Sequence, residues 1–391
     1  MVWSSRSLKV GPDARLAVMR FDLSGRAVVE ATPTGDALDQ YLRDQFAPFI
    51  PTETSAPPTV VIEPAADEHP PIVELMGPAN DDLVTGTDGE RLYVIYDGLR
   101  CTVPNALDGA PARFDYEPGF PIWRIFRQTV RPALQVSLVA GGSVAVHASS
   151  VEIGGRGVLV SGWSESGKTE TALAMMERGA RFVSDKWTIV GEDRALSAFP
   201  ITVGIRRWVL EYLPTLNSSV TFGARAQFAA ARVGAVLLAP AGRGRARNRA
   251  TGMIRDAARL ATALGDRAAF SVEDLRQAYG QDDDPTRRVP THAVIVLVTV
   301  PGPAITTEPA DPAWAAARLA RSAAYERRAY FELLQRAGFA SVQRSSSILE
   351  EAIGREEAVL RTILEGCTVL AVRAPFPTDP TRVADAINRA I

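Results

Sequence analysis

Hydrophobic and polar positions change their period twice along the chain. Up to about residue 115 the apolar residues come in short β-branched runs: RLAVMRFDL, RAVVEA, PTVVIEP, RLYVIYDG and LRCTV. Gly, Asp and Pro bound them, which predicts strands. A single helix is expected among them, at about 36–49. Proline-rich sequence from Pro51 to Pro71 predicts a linker on each side of PTVVIEP. Between Phe120 and Ala140 the spacing of Trp123, Ile125, Phe126, Val130 and Leu134 predicts an amphipathic helix.

From about residue 143 the order becomes strand, turn, strand, loop, helix, strand. VAVHASSVEI and GVLVSG read as strands joined by GGRG. TETALAMMERG reads as a helix closed by Gly179, and RFVSD as the next strand. WTIVGEDRALSAF follows as a hairpin. That alternation predicts an α/β nucleotide-binding core. Farther on, THAVIVLVTV and CTVLAV read as strands, 311–336 and 346–365 as helices, and GRGRARNRA (242–250) as a mobile loop. A final helix is capped by Asp379. The resulting division is a β-rich domain over 1–118 and a nucleotide-binding domain over 119–391, with a helical insertion at about 211–365.

Composition narrows the function classes. In 391 residues, 46% are apolar and 23% charged, which excludes a disordered chain. The net charge of −2 argues against a nucleic-acid-binding face. No stretch reads as a secretory signal or a membrane helix, so the expectation is a soluble cytoplasmic protein, with a homo-oligomer left open. Two distant cysteines, Cys101 and Cys367, do not make a disulfide framework. Lysine occurs only at Lys9, Lys168 and Lys186, so nearly all of the 43 basic residues are arginine. Lysine that persists in such a chain marks places where a compact ammonium is needed.

Lys168 lies in Gly162-Trp163-Ser164-Glu165-Ser166-Gly167-Lys168-Thr169, which fits G-x-x-x-x-G-K-[ST]. Glycines let the backbone curl so that successive N–H groups face phosphate oxygens. Lysine reaches the β- and γ-phosphates, and the threonine hydroxyl holds Mg²⁺. A chance match in a chain with three lysines is on the order of 10⁻³. The candidate nucleotide-binding set is Gly162, Ser164, Glu165, Ser166, Gly167, Lys168, Thr169 and Glu170. Asp185 ends the strand after the helix, where a carboxylate can reach the metal or accept a proton. Its plain reading is a turn-capping residue. His147, in the strand two segments before the loop, reads on its own as a core histidine.

The stretch VHASSVEIGGRGVLVSGWSESGKTETALAMMERGARFVSDKWTIV resembles the catalytic core of HPr kinase/phosphorylase, related in fold to phosphoenolpyruvate carboxykinase. The resemblance covers about 144–205. It implies an α/β P-loop core of that type, with a β-rich N-terminal domain and a helical C-terminal region. It also implies that Lys168 binds phosphate, that Thr169 and Asp185 bind Mg²⁺, and that Asp185 is the catalytic base with His147 as its partner. The family's second aspartate is Lys186 here. Its charge would stabilise the transferring phosphoryl and favour the ionised form of Asp185. The expected activity is transfer of the γ-phosphate of ATP to a hydroxyl of a peptide, a protein serine or a small molecule. The alternatives are an ATP-binding switch without transfer and, less favoured, a decarboxylating carboxykinase.

Overall fold

A computed structural model describes residues 18–32, 37–49, 54–77, 83–104, 111–220, 267–340 and 348–391. The arginine-rich segment 242–250 lies outside the described residues, as do 221–266 and 341–347 of the expected helical insertion. The chain divides into two compact units, Met1–Ala145 with Ala323–Leu360, and Val146–Ser322 with Arg361–Ile391. It is a mixed α/β protein with two large mixed sheets and several helices.

The first unit holds an eight-stranded sheet. Its strands are β1 (Met19–Asp22), β2 (Val28–Ala31), β3 (Val60–Pro64), β4 (Glu74–Leu75), β5 (Leu83–Thr87), β6 (Leu92–Tyr96), β7 (Leu99–Val103) and β8 (Ala112–Tyr116). Their order is β1-β2-β3-β8-β7-β6-β5-β4. β3 runs parallel to both neighbours, and Val60, Val61 and Ile62 are all buried. A parallel strand covered on both faces needs such an unbroken apolar run. Asp97-Gly98, both at positive φ, turn β6 into β7, the residue pair that two-residue hairpins favour. α1 (Ala37–Phe46) buries Leu38, Leu42 and Phe46, one stripe at a spacing of four.

The single helix expected between Phe120 and Ala140 is two, α2 (Ile122–Ile125) and α3 (Val130–Ser137). Pro132 explains the break. Its ring would clash with the carbonyl of residue 128 in a continuous helix, so it sits in the first turn of a new one. Later in this unit, Arg327 and Glu356 form a bidentate ion pair at 2.5 Å, both essentially inaccessible.

The strand expected around His147 breaks there, into β9 (Ser143–Val146), which ends the first segment of the first unit, and β10 (Ala148–Ile153) in the second. β10 forms an antiparallel hairpin with β11 (Arg156–Gly162), turning at Gly154 and Gly155, both left-handed. β11 is followed by α4 (Lys168–Met176), β12 (Arg181–Ser184), β13 (Thr188–Gly191), β14 (Ala195–Ala198), β15 (Val203–Arg206), β16 (Arg267–Phe270), β17 (Val289–Thr299), β18 (Thr306–Pro309) and β19 (Thr368–Ala374). β11 runs parallel to β17, and β17 parallel to β19. The expected hairpin is β13–β14.

α4 ends as its sequence requires. The N–H of Ala180 bonds to Met175 O and that of Gly179 to Met176 O, with Gly179 left-handed. This is a Schellman closure, in which glycine carries the αL position without a Cβ penalty. The final helix Pro380–Asn388 packs on α4, and Asp379 caps it by accepting from Thr381 N at 2.9 Å. Val158, Val160, Leu173, Phe182, Ile295, Val372 and Ile387 fill the core between these helices and the sheet. Among the described residues, no helix is long and apolar enough to cross a membrane.

Candidate active site

The site forms where β11 ends and α4 begins. A Cβ at Gly162 would lie 2.5 Å from Ser166 Oγ and 2.8 Å from the Leu297 carbonyl, so only glycine fits. Glu165 takes a left-handed conformation, φ 60°, and so does Gly167, φ 91°, the residue from which the helix starts. At Gly167 a Cβ would also press on the Phe376 ring at 3.2 Å. These positions curl 162–168 into a closed loop. Lys168, on the first turn of α4, is 6% exposed. Its ammonium folds back over the loop, donating to Gly162 O at 3.2 Å and Trp163 O at 2.6 Å. Ser164 is half-buried, and the Ser166 hydroxyl is buried with no hydrogen-bond partner.

Thr169 and Asp185 meet at the loop's mouth. The Thr169 hydroxyl donates to Asp185 Oδ1 at 2.8 Å, and Ser149, on β10, donates to the same oxygen at 2.5 Å. Asp185 is 5% exposed. Burial pushes its carboxyl above the usual carboxylate range, although the two hydroxyls, the Lys186 N–H and the Lys186 charge all favour the ionised form. Lys186 thus acts in the direction its charge implies, but desolvation outweighs it. Glu170 is also raised, first by burial, then by the charge of Asp185, against the pull of Arg206 and Lys168.

The chain turns sharply after β12. Lys186 has φ 62°, and the Trp187 N–H donates to Asp185 O at 2.6 Å. This i→i+2 bond with a positive central φ is a γ-turn, rare and strained for a residue with a side chain. It carries Asp185 and Lys186 off the strand, where alternation would otherwise point them to opposite faces.

His147 is buried, and its Nδ1 lies 3.3 Å from the Ser322 hydroxyl. Its ring centroid is 5.4 Å from that of Trp187. Burial first, then the charges of Lys168 and Lys186, push its pKa down to about 2, so the imidazole is neutral at physiological pH.

Glu165 pairs with Arg206 at 2.5 Å, and the guanidinium lies 5.9 Å from the centre of the Phe376 ring. Sequence reasoning did not find Ser149, Arg206, Phe376 or Ser322. Ser149 had a signal, since it stands two residues beyond His147. Ser322 had none, being 160 residues from the loop it touches.

Among the described residues, no three His, Cys, Asp or Glu side chains gather as a metal cluster. Thr169 and Asp185 still offer two hard oxygens, which suits Mg²⁺, an ion that normally completes its shell with phosphates and water.

No family model matches the chain. Over 73 residues it is 40% identical to HPr kinase/phosphorylase of Bacillus cereus (strain B4264), spanning 18% of this chain and 24% of the relative. The same figures hold for the HPr kinase/phosphorylases of Bacillus anthracis (strain A0248) and Bacillus thuringiensis subsp. konkukian (strain 97-27). The match therefore spans about a quarter of the length of these relatives. In that one segment the chain is similar to HPr kinase/phosphorylase.

Proposed function

We propose that this protein is a cytoplasmic ATP-dependent kinase that transfers the γ-phosphate to a hydroxyl of a peptide, a protein serine or a small molecule. One observation carries the reading. The Thr169 hydroxyl and the Asp185 carboxylate meet at the mouth of a closed loop that holds a buried ammonium and an unpartnered Ser166 hydroxyl. The loop amides, Lys168 and Ser166 would bind the phosphates, with the start of α4 adding its positive end. Gly162 and Gly167 supply the curl, Ser164 and Glu165 belong to the same loop, and Glu170 lies on the first turn of α4. Thr169 and Asp185 would hold Mg²⁺, which when bound neutralises phosphate charge.

Asp185 takes the proton as the acceptor oxygen bonds to the γ-phosphorus and the bond to the ADP oxygen breaks. Burial raises its carboxyl, and Mg²⁺ held by the same side chain would oppose that shift. Lys186 stabilises charge on the transferring group, and His147 is a neutral neighbour behind the loop. The partial likeness to a named kinase supports the same class.

A second reading is an ATP-binding switch, favoured by an ammonium at 186 beside the base. Incubation with γ-labelled ATP, Mg²⁺ and a library of hydroxyl-bearing peptides and metabolites separates the two. A labelled acceptor establishes the kinase. ATP binding without label transfer to any acceptor overturns it in favour of the switch.

A further inference from the structure

Ser322 lies on the helix Pro312–Glu326 and is 3% exposed. Its hydroxyl makes two contacts, 3.3 Å to His147 Nδ1 and 3.1 Å to the carbonyl oxygen of Gly162. A serine hydroxyl has one proton to donate, and a carbonyl oxygen can only accept. If the serine proton pointed at the histidine, two oxygen lone-pair regions would face each other at 3.1 Å between buried groups. The arrangement satisfying both contacts has Ser322 donating to Gly162 O and His147 donating Nδ1–H to Ser322. The proton on Nδ1 makes Nε2 the acceptor of the neutral ring.

We infer that Ser322 is a positioning residue, which fixes His147 as its Nδ1–H tautomer and ties it to the loop through the Gly162 carbonyl. That carbonyl also accepts from Lys168 Nζ. A hydrogen-bonded chain therefore runs from His147 through Ser322 and Gly162 to the Lys168 ammonium. The orientation of the imidazole and the placement of the lysine are set together. A ring whose Nε2 only accepts cannot donate to the Asp185 carboxylate through that atom. It can receive a proton-bearing group there, such as an ammonium, a water or the acceptor hydroxyl. The consequence for transfer rests on the kinase reading, but the tautomer does not.

The test uses the full chain with ¹⁵N-labelled histidine. Only three histidines are present, His69, His147 and His292, so His147→Gln assigns the signal. Long-range ¹H–¹⁵N spectra of the wild type are expected to show a protonated Nδ1 and a bare Nε2 at neutral pH. Ser322→Ala should convert His147 to the other tautomer or to a mixture, and Ser322→Thr, which keeps the hydroxyl, should restore the original pattern. With an acceptor in hand, Ser322→Ala should lower kcat roughly 3–10-fold, the effect of one lost hydrogen bond, with a smaller change in KM. A protonated Nε2 in the wild type overturns the inference, and so does an unchanged tautomer in Ser322→Ala. A tautomer that switches while kcat stays constant overturns the positioning role. If Mg-ATP does not stabilise the wild type, the kinase reading fails, while the spectra still decide the tautomer.

Discussion

Thr169 and Asp185 share a hydrogen bond of 2.8 Å across 16 residues of chain. One residue begins a helix and the other follows a strand, so the bond exists because α4 and β12 return to the same end of the sheet. Ser149 donates to the same oxygen. Both donors hold a carboxylate that burial alone would protonate more readily. Asp185→Asn keeps an acceptor at Oδ1 but cannot take a proton. Under the kinase reading, turnover should fall roughly 10²–10⁴-fold, with ATP affinity far less affected. Near-normal turnover in this variant would return Asp185 to a turn-capping residue.

ATP with Mg²⁺ should raise the melting temperature of the wild type. Ligand at a hundred times its Kd stabilises by about 2.7 kcal/mol, enough for a shift of several degrees in a thermal scan. Lys168→Ala should abolish most of that shift. An equal shift in both proteins would place the nucleotide elsewhere.

Gly162 combines crowding with a positive φ of 156°, whereas Gly179 has a positive φ alone. Gly162→Ala must push aside Ser166 Oγ and the Leu297 carbonyl, so it should destabilise the unit and remove nucleotide binding. Gly179 has a positive φ and no atom within 4 Å of an added Cβ. Gly179→Ala should therefore cost only about 1–2 kcal/mol, the penalty of a left-handed alanine. Equal losses in the two variants, measured by urea unfolding, would refute the crowding argument for Gly162.

Asp283 joins three arginines, Arg181 at 2.5 Å, Arg276 at 2.9 Å and Arg287 at 2.6 Å. Burial pushes its carboxyl up, but the Arg181 hydrogen bond and the Arg287 and Arg276 charges outweigh it and hold it below the usual range. A depressed folded pKa adds stability above the unfolded carboxylate value, about 3.9, and that stability is lost as pH falls through the folded value. Asp283→Asn should therefore lower stability by up to about 1 kcal/mol at pH 7, allowing for solvent screening of a partly exposed group. The difference should shrink below about pH 4. A gap that widens on acidification would contradict the assignment.

Much of the second unit was legible because its signals are local. The loop 162–169, the Gly179 closure, the β13–β14 hairpin and the Asp379 cap each depend on a few consecutive residues with special φ or hydrogen-bonding groups. The break at Pro132 was also written in the sequence, and helical spacing of the apolar residues on both sides masked it. Contacts between distant segments left no such mark. Ser322 meets Gly162 across 160 residues, and Arg327 pairs with Glu356 inside the first unit. Arg327, between the helices Pro312–Glu326 and Arg328–Ala340, reads as a surface charge until its partner is placed. Nothing in the local pattern shows that 323–360 returns to the unit formed by 1–145.

Lys186 puts strain and charge in one residue, and its variants can separate them. Its φ of 62° costs about 1–2 kcal/mol for an L side chain, a cost glycine does not bear. If the lysine had only a structural part, a residue suited to that conformation would be the better choice. Lys186→Gly should therefore raise thermal stability by up to about 1 kcal/mol, net of the extra chain entropy that glycine loses. Under the kinase reading the same variant should transfer phosphate more slowly, because the ammonium no longer offsets charge on the transferring group. Lys186→Asp should reduce forward transfer further, since a second carboxylate repels both that group and an ionised Asp185. A phosphate-dependent reversal of the product is the activity to look for in this variant. Greater stability with undiminished transfer in Lys186→Gly would show that the ammonium plays no part, and that the γ-turn alone delivers Asp185 to the site.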